Sequence, residues 1–261
     1  MMTSRRRFIT GLSALTALMP RARAGLAAAS QSYYLLEFSE PRAGRESHFD
    51  RQWRSHLAAM LALPGFLSAT PLRRADLQLS RPSAVPLPSR LSLFTLESAD
   101  FPALYRRIEQ GLRRGRIAAL SAAEPTASRT MVYRKAASWS NAHAPSAGDV
   151  YRQLVMTDAR PGEDEAYRRW YDGTHARQLL GVPGVYEVAR GERVMAATQS
   201  EGPRYLSLMG IKTTSLDQFS TAMDQSSRTT IGSDTYDSAH AWRGLYRQDE
   251  WGRERERRKR P

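Results

Sequence analysis

His175 is the side chain of this sequence best suited to moving a proton, because imidazole changes charge near neutral pH. On a helix, Tyr167, Tyr171, Thr174, His175 and Gln178 share one stripe by their three- and four-residue spacings. Tyr171 lies one turn before His175, where its hydroxyl could place or polarise a ligand. His175 and Tyr171 are therefore the expected catalytic pair, with acid–base chemistry as the expected reaction type. Trp170 is expected to contact the ligand. Asp172 adjoins Tyr171, and neighbours on a helix point about 100° apart, so the two cannot face one pocket squarely. Arg190, on a strand, faces either an interior, where it would pair with an anionic substrate, or outward.

An earlier segment echoes this one. Trp53, His56 and the Pro64-Gly65 pair precede by 117 to 119 positions Trp170, His175 and Pro183-Gly184. Phe49, Trp53, His56 and Met60 form a second aromatic stripe, and Trp53 and His56 are expected as ligand contacts there. Both stripes carry two readings. Aromatic helix stripes pack against sheets, and a buried histidine then bonds a turn or a strand carbonyl. Alternatively the histidine lines a cleft between helix and sheet.

Other chemistries lack their residues. The sequence has no cysteine, so thiolate metal sites, disulfides and a Cys nucleophile are excluded. His48, His56, His143, His175 and His240 show no HExxH-like spacing, and no metal site is expected. One histidine suffices for haem, so haem stays open. No Gly-rich phosphate loop or GxSxG elbow occurs.

The elements that must position these residues fall in two sets. In the first, strands are predicted at 33–38, 66–73, 91–96 and 131–135, with helices at 45–63 and 101–114. In the second, strands are predicted at 151–157, 185–193, 204–211 and 245–248, with helices at 163–180 and 216–225. Pro64 and Pro183 stop the long helices, and the following glycines permit the turn. A gapless shift of 119 aligns Leu35-Leu36 with Leu154-Val155 and His56 with His175. Farther on, Arg90-Leu91-Ser92-Leu93 aligns with Arg204-Tyr205-Leu206-Ser207-Leu208, with one insertion, and Tyr133-Arg134 aligns with Tyr246-Arg247. Residues 81–89 read as a proline-rich loop, and 226–239 carry no assignment. Each set is a ferredoxin-like βαββαβ repeat. The sheet face without helices must be buried. The expected fold is therefore α+β: two tandem repeats closing an α/β barrel within one chain, so that a monomer suffices. The expected domains are 31–137 and 150–249, joined by a linker at 138–149.

The second set resembles the EthD-like branch of the dimeric α/β barrel superfamily over residues 151–215. The resemblance rests on Tyr167-Arg168-Arg169-Trp170-Tyr171-Asp172-Gly173-Thr174-His175, Leu179-Leu180 and Val182-Pro183-Gly184-Val185. Glu187-Val188-Ala189-Arg190 and Pro203-Arg204-Tyr205-Leu206 extend it. The first set matches more loosely and lacks the Tyr-Asp pair. Neighbouring branches of that superfamily include cofactor-free monooxygenases, cyclases, isomerases and haem enzymes, so the fold alone names no reaction.

The start of the chain, Ser4-Arg5-Arg6-Arg7-Phe8-Ile9-Thr10, resembles a twin-arginine export signal. A short apolar run follows, then Ala22-Arg23-Ala24, a small-x-small cleavage pattern. Residues 1–24 are thus an expected leader, the translocase an expected partner, and the location periplasmic or secreted. The net charge of +13 includes five leader arginines. The run Arg253 to Arg260 carries six bases against two acids, so the body holds only about +4. Nucleic acid is not an expected partner. Residues 250–261 form an expected disordered basic tail, either simply solvated or touching anionic lipid. The leading expectation is binding, and metal-free transformation, of a small apolar or aromatic compound. A non-catalytic periplasmic carrier and a haem-binding barrel enzyme are the alternatives.

Overall fold

In the computed structural model, which describes residues 29–77, 82–142, 146–194, 202–229 and 232–250, apolar alternation and helical stripes build two halves of the same layout. The first half runs β1 (Gln31–Ser39), α1 (Glu46–Leu61), β2 (Phe66–Arg74), β3 (Arg90–Ser98), α2 (Phe101–Arg113) and β4 (Arg129–Ser140). The second runs β5 (Asp149–Thr157), α3 (Asp164–Trp170), a π-helical turn (Tyr171–His175) and α4 (Ala176–Leu180). It continues with β6 (Val185–Arg193), β7 (Tyr205–Thr213), α5 (Leu216–Thr229) and β8 (Trp242–Gln248). The expected leader at 1–24 and the chain beyond Glu250 lie outside the described residues. No helix among the described residues is long and apolar enough to cross a membrane.

The strands close into one antiparallel barrel in the order β1-β3-β2-β8-β5-β7-β6-β4. Each half contributes a four-stranded ferredoxin-like sheet, and two junctions join them. At one, Leu72, Arg73 and Arg74 of β2 face Gln248, Arg247 and Tyr246 of β8. At the other, β4 pairs with β6 from Tyr133↔Arg193 to Ser140↔Glu187. That second junction uses residues expected in the linker, so β4 runs five residues past its predicted end. A strand that must reach a second sheet is longer than its own sheet requires.

Strand alternation splits the core into three parts. Tyr34, Leu36, Phe38, Leu154, Met156, Leu206, Leu208 and Tyr246 fill the barrel interior. Leu35, Phe94 and Leu96 face outward and are covered by Phe49, Trp53, Leu57 and Met60 of α1 and by Leu104 and Ile108 of α2. Val185, Val188, Met209 and Ile211 face outward in the second half beneath Tyr167, Tyr171 and Phe219. The α2 helix begins where Asp100 accepts a hydrogen bond from the Ala103 amide at 2.9 Å, with Pro102 in the first turn.

The Pro-Gly landmarks serve the barrel directly. Gly65 and Gly184 adopt φ of 96° and 94°, a region costly for residues with a Cβ. Their carbonyls accept from the amides of Glu97 and Lys212, both at 2.8 Å. These bonds tie each helix-to-strand turn to the third strand of its half. A Cβ on Gly65 would sit 2.7 Å from the Glu97 carbonyl oxygen, so the turn admits nothing larger there.

Two expectations need correction. The predicted helix at 163–180 is broken by the π turn, which holds one more residue than α1 does at the same place. The gapless shift of 119 is therefore wrong before that turn. Glu37 of β1 pairs with Ser92, and Val155 of β5 pairs with Ser207. Glu37 thus corresponds to Val155, Leu35 to Gln153 and Phe49 to Tyr167, all at a shift of 118. After the turn the shift is 119, as His56 and His175 require. In the remaining differences, α5 extends four residues beyond its expected end and β8 starts three residues earlier.

Candidate functional site

The π turn organises the site. Its wide backbone ring, with the Ala176 amide bonded to the Tyr171 carbonyl, brings residues five apart together. Trp170 and His175 are such a pair. Their rings stack at 4.4 Å between centroids, only 18° from parallel. The far side of the sandwich is Tyr236, stacked on Trp170 at 5.5 Å. Gly173 and Thr174 within the turn are weak helix formers, which eases the departure from α geometry.

These rings border a cleft of about 880 Å³ between the outer face of the second sheet and its helices. The sheet wall is Gln153, Val155 and Thr157 of β5, Ser207 and Met209 of β7, and Arg243 of β8. Tyr167, Trp170, Tyr171, His175 and Leu179 form the helical wall. Met223 of α5 and the loop carrying Ser233, Tyr236 and Ser238 close the rest. Arg243 is 7% exposed and donates to the carbonyls of Pro82, Ser238 and Ala241, which fixes the loop beside the cleft.

Among the described residues no carboxylate forms an ion pair with His175. Burial alone lowers its pKa to about 4, so it is a neutral imidazole at neutral pH. Its Nδ1 is buried without a hydrogen-bond partner. The same is true of Oε1 of Gln153, a residue only 5% exposed. A buried polar atom left unpaired costs about 1–3 kcal/mol. Among the described residues no three His, Asp or Glu side chains cluster as metal ligands.

Tyr171 reaches the cleft but its hydroxyl is committed. It lies 2.5 Å from Ser207 Oγ, and burial pushes its pKa up. The first half makes the same link with a different ring: Trp53 Nε1 donates to Ser92 Oγ at 2.7 Å. The bond therefore anchors helix to sheet in both halves, and the structural partner of Trp53 is Tyr171 rather than Trp170.

Arg190 lies outside the cleft. Val188 packs on the helical side of the sheet and Ala189 in the barrel interior, so Arg190 faces the helices and the interior reading does not hold. It is 4% exposed. Asp172 grips its guanidinium with two bonds of 2.7 and 3.0 Å, and Glu192 accepts a third at 2.7 Å. Burial opposes the charge on Arg190, but these carboxylates outweigh it and raise its pKa.

In the first half the corresponding place is filled by buried side chains. His56, 3% exposed, is held at both nitrogens, with Nε2 2.8 Å from Glu37 Oε2 and Nδ1 2.8 Å from the Ala118 carbonyl. The Ala118 carbonyl can only accept, so Nδ1 donates, and with Glu37 as a carboxylate the doubly bonded ring is the imidazolium. The segment bearing Ile117, Ala122 and Ala123 packs into the core there. Gln52 pins it by bonding Ser121 Oγ and the Ala122 amide. Trp53 and His56, expected as ligand contacts, are thus buried beside this plugging segment.

A pH effect follows from this pair. Burial pulls the His56 pKa down, but the Glu37 carboxylate and the two hydrogen bonds outweigh it and raise it. The stabilisation is fully present below the unfolded value, about 6.5, and is lost as pH rises through the higher folded value. Thermal melts of wild type and His56→Gln from acid to alkaline pH should show the wild type's advantage shrinking upward. An advantage that grows with pH would contradict the doubly bonded imidazolium.

Sequence reasoning missed Gln153, Ser207, Tyr236 and Arg243. Only Gln153 left a trace, as a polar residue in the outward alternation Tyr151, Gln153, Val155 of β5, and the shift of 119 hid it.

No family's sequence pattern matches the chain, and no curated protein does. Solved structures do share its fold. An anthrone oxidase-like protein superposes with a TM-score of 0.53 at 15% identity, over 86% of this chain and 93% of that one. A candidate monooxygenase of Fusobacterium nucleatum subsp. nucleatum gives 0.51 at 9%, over 85% and 94%. A double mutant of chlorite dismutase from Candidatus Nitrospira defluvii gives 0.51 at 8%, over 88% and 96%. At such identities the likeness shows the fold alone, a dimeric α/β barrel, here closed within a single chain.

Proposed function

We propose that the cleft of the second half binds a small, planar, largely apolar or aromatic compound, and that His175 exchanges a proton with it without a metal. One observation carries this reading: the same histidine position is plugged and charged in the first half, but open and neutral in the second. Tyr236 from the loop, with Val155 and Met209 of the sheet wall, offers the apolar surface. The fold neighbour described as anthrone oxidase-like is consistent with a flat aromatic substrate. The segments from Tyr167 to His175 and from Val182 to Val185 support membership of the EthD-like branch. The arginine run at Arg5 supports export by the twin-arginine route to the periplasm or beyond.

Tyr171 keeps a positioning role in this reading. It holds Ser207 and the helix, while His175 carries the proton.

The test is a search for the compound itself. Protein purified from its native exporter is denatured and its small molecules identified by mass spectrometry, alongside an absorbance spectrum. A flat aromatic species, rebound one per chain and quenching Trp170 fluorescence, is the expected result. A protein that carries nothing and binds no planar compound would sink the proposal. A Soret band would favour haem instead, with His175 the one histidine on the cleft among the described residues. Binding without turnover would favour the carrier, a reading to which the low basicity of His175 lends weight.

A further inference from the structure

Gln153 sits at the centre of β5 with its side chain on the cleft wall. Its cross-strand neighbours are Met209 on β7 and Leu245 on β8, and Val155 follows it on the same face. None of these side chains can hydrogen-bond an amide well. The carbonyl oxygen is buried and unpartnered, although the residue is 95% covered by the rest of the chain and the great majority of buried polar side-chain atoms are paired. On the opposite wall, Nδ1 of His175 is buried and unpartnered too.

The fold does not need an amide at this position. In the first half Leu35 occupies it, 1% exposed and packed in the core beneath α1 and α2. A leucine at 153 would remove an unpaired buried group and leave an apolar neighbourhood undisturbed. The polar residue is retained where the cleft is open and replaced where the cleft is plugged. Its partner is therefore something that enters the cleft.

Resting on the planar-ligand reading of the cleft, we infer that Gln153 is the specificity-determining residue. It reads a ring edge that carries a hydrogen-bond donor beside an acceptor. A primary amide presents its N–H and its C=O in one plane. The complementary ligand edge is that of a lactam, whose N–H lies beside its C=O. Val155 and Met209 supply the apolar surface on which the ring lies, and Gln153 meets its edge. The first half, with Leu35, has no such reader.

The probes are 6(5H)-phenanthridinone, a flat tricyclic lactam, and its N-methyl derivative, which keeps shape and acceptor but lacks the donor. The full chain should bind the lactam at least about tenfold more tightly, since a site built to bond a donor rejects an analogue lacking it. Gln153→Leu should bring the two affinities to within about twofold by weakening the lactam alone. It should also raise Tm, because an unpaired buried carbonyl is gone. Gln153→Met serves as a second variant of similar reach should leucine pack badly. A preserved lactam preference in both variants would overturn the assignment, as would a lowered Tm with the preference intact, which marks a structural amide. If wild type binds both compounds equally, the cleft reading stands and the role of Gln153 falls. If it binds neither, the planar-ligand reading falls and this inference with it.

Discussion

His175→Gln is expected to fold normally and to lose turnover of the cleft's compound by about 100-fold or more, the usual worth of a positioned acid–base group. The imidazole is neutral above pH about 4 and accepts a proton only if the resulting cation is stabilised. Among the described residues no carboxylate pairs with His175 to do this. When the proton comes from the ligand, the ligand's own anion remains beside the ring, as Glu37 remains beside His56 in the first half. A base of this kind is idle until its substrate arrives. Wild-type turnover should fall as pH drops through about 4, where the free imidazole becomes protonated. Val155→Glu supplies a check that needs no ligand. Val155 corresponds to Glu37, and both face the serine that anchors the helix aromatic. A carboxylate there should move the His175 pKa from about 4 to above the free value of about 6.5. An NMR titration of the ring reads that shift directly. The charged ring should then be unable to accept a proton at neutral pH, and turnover should fall as in His175→Gln. Turnover of His175→Gln within about threefold of wild type would remove the histidine from the chemistry.

Most of the barrel was legible because its signals are local. Pro64-Gly65 and Pro183-Gly184 mark turns that only glycine fits, and the stripes of Phe49, Trp53 and Tyr167, Tyr171 mark helix faces that only a sheet can bury. Two βαββαβ units with one uncovered face each leave few ways to pack. What the sequence hid was a single inserted residue. A π turn has no sharp composition, so an alignment by eye runs through it without a gap and assigns β5 to the wrong face. With the register moved by one, Gln153 falls on Leu35 and Val155 on Glu37, and both differences become visible. The plug of the first half was hidden for another reason. Residues 117–123 have no periodicity, and their role rests on Ala118 meeting a histidine 62 positions away. The adjacent residues Trp170, Tyr171 and Asp172 perform three separate tasks. Trp170 stacks on His175, Tyr171 anchors Ser207, and Asp172 holds Arg190.

That third task carries the largest stability effect. Arg190→Ala should destabilise the protein by about 3 kcal/mol, near the lower end for breaking a buried ion pair by removing one partner. The guanidinium side chain is 5% exposed, whereas the carboxylates differ in what they can do without it. Asp172 is 37% exposed and can regain water. Glu192, 17% exposed, keeps Arg168 at 3.0 Å. Both features soften the loss, which is why the upper end is not expected. Asp172→Asn should cost less, about 1 kcal/mol, because it weakens two hydrogen bonds without stranding the arginine from Glu192. Urea unfolding of the two variants measures both, with an unchanged slope confirming that the native surface is intact. The order matters more than either value. Arg190 was a candidate for binding an anionic substrate, and an arginine free for that task would be removed at little cost. If Arg190→Ala proves neutral while ligand affinity drops, the guanidinium belongs to the ligand after all. A loss near 3 kcal/mol with affinity preserved fixes it as the clamp that holds the π turn, and with it His175, against the sheet.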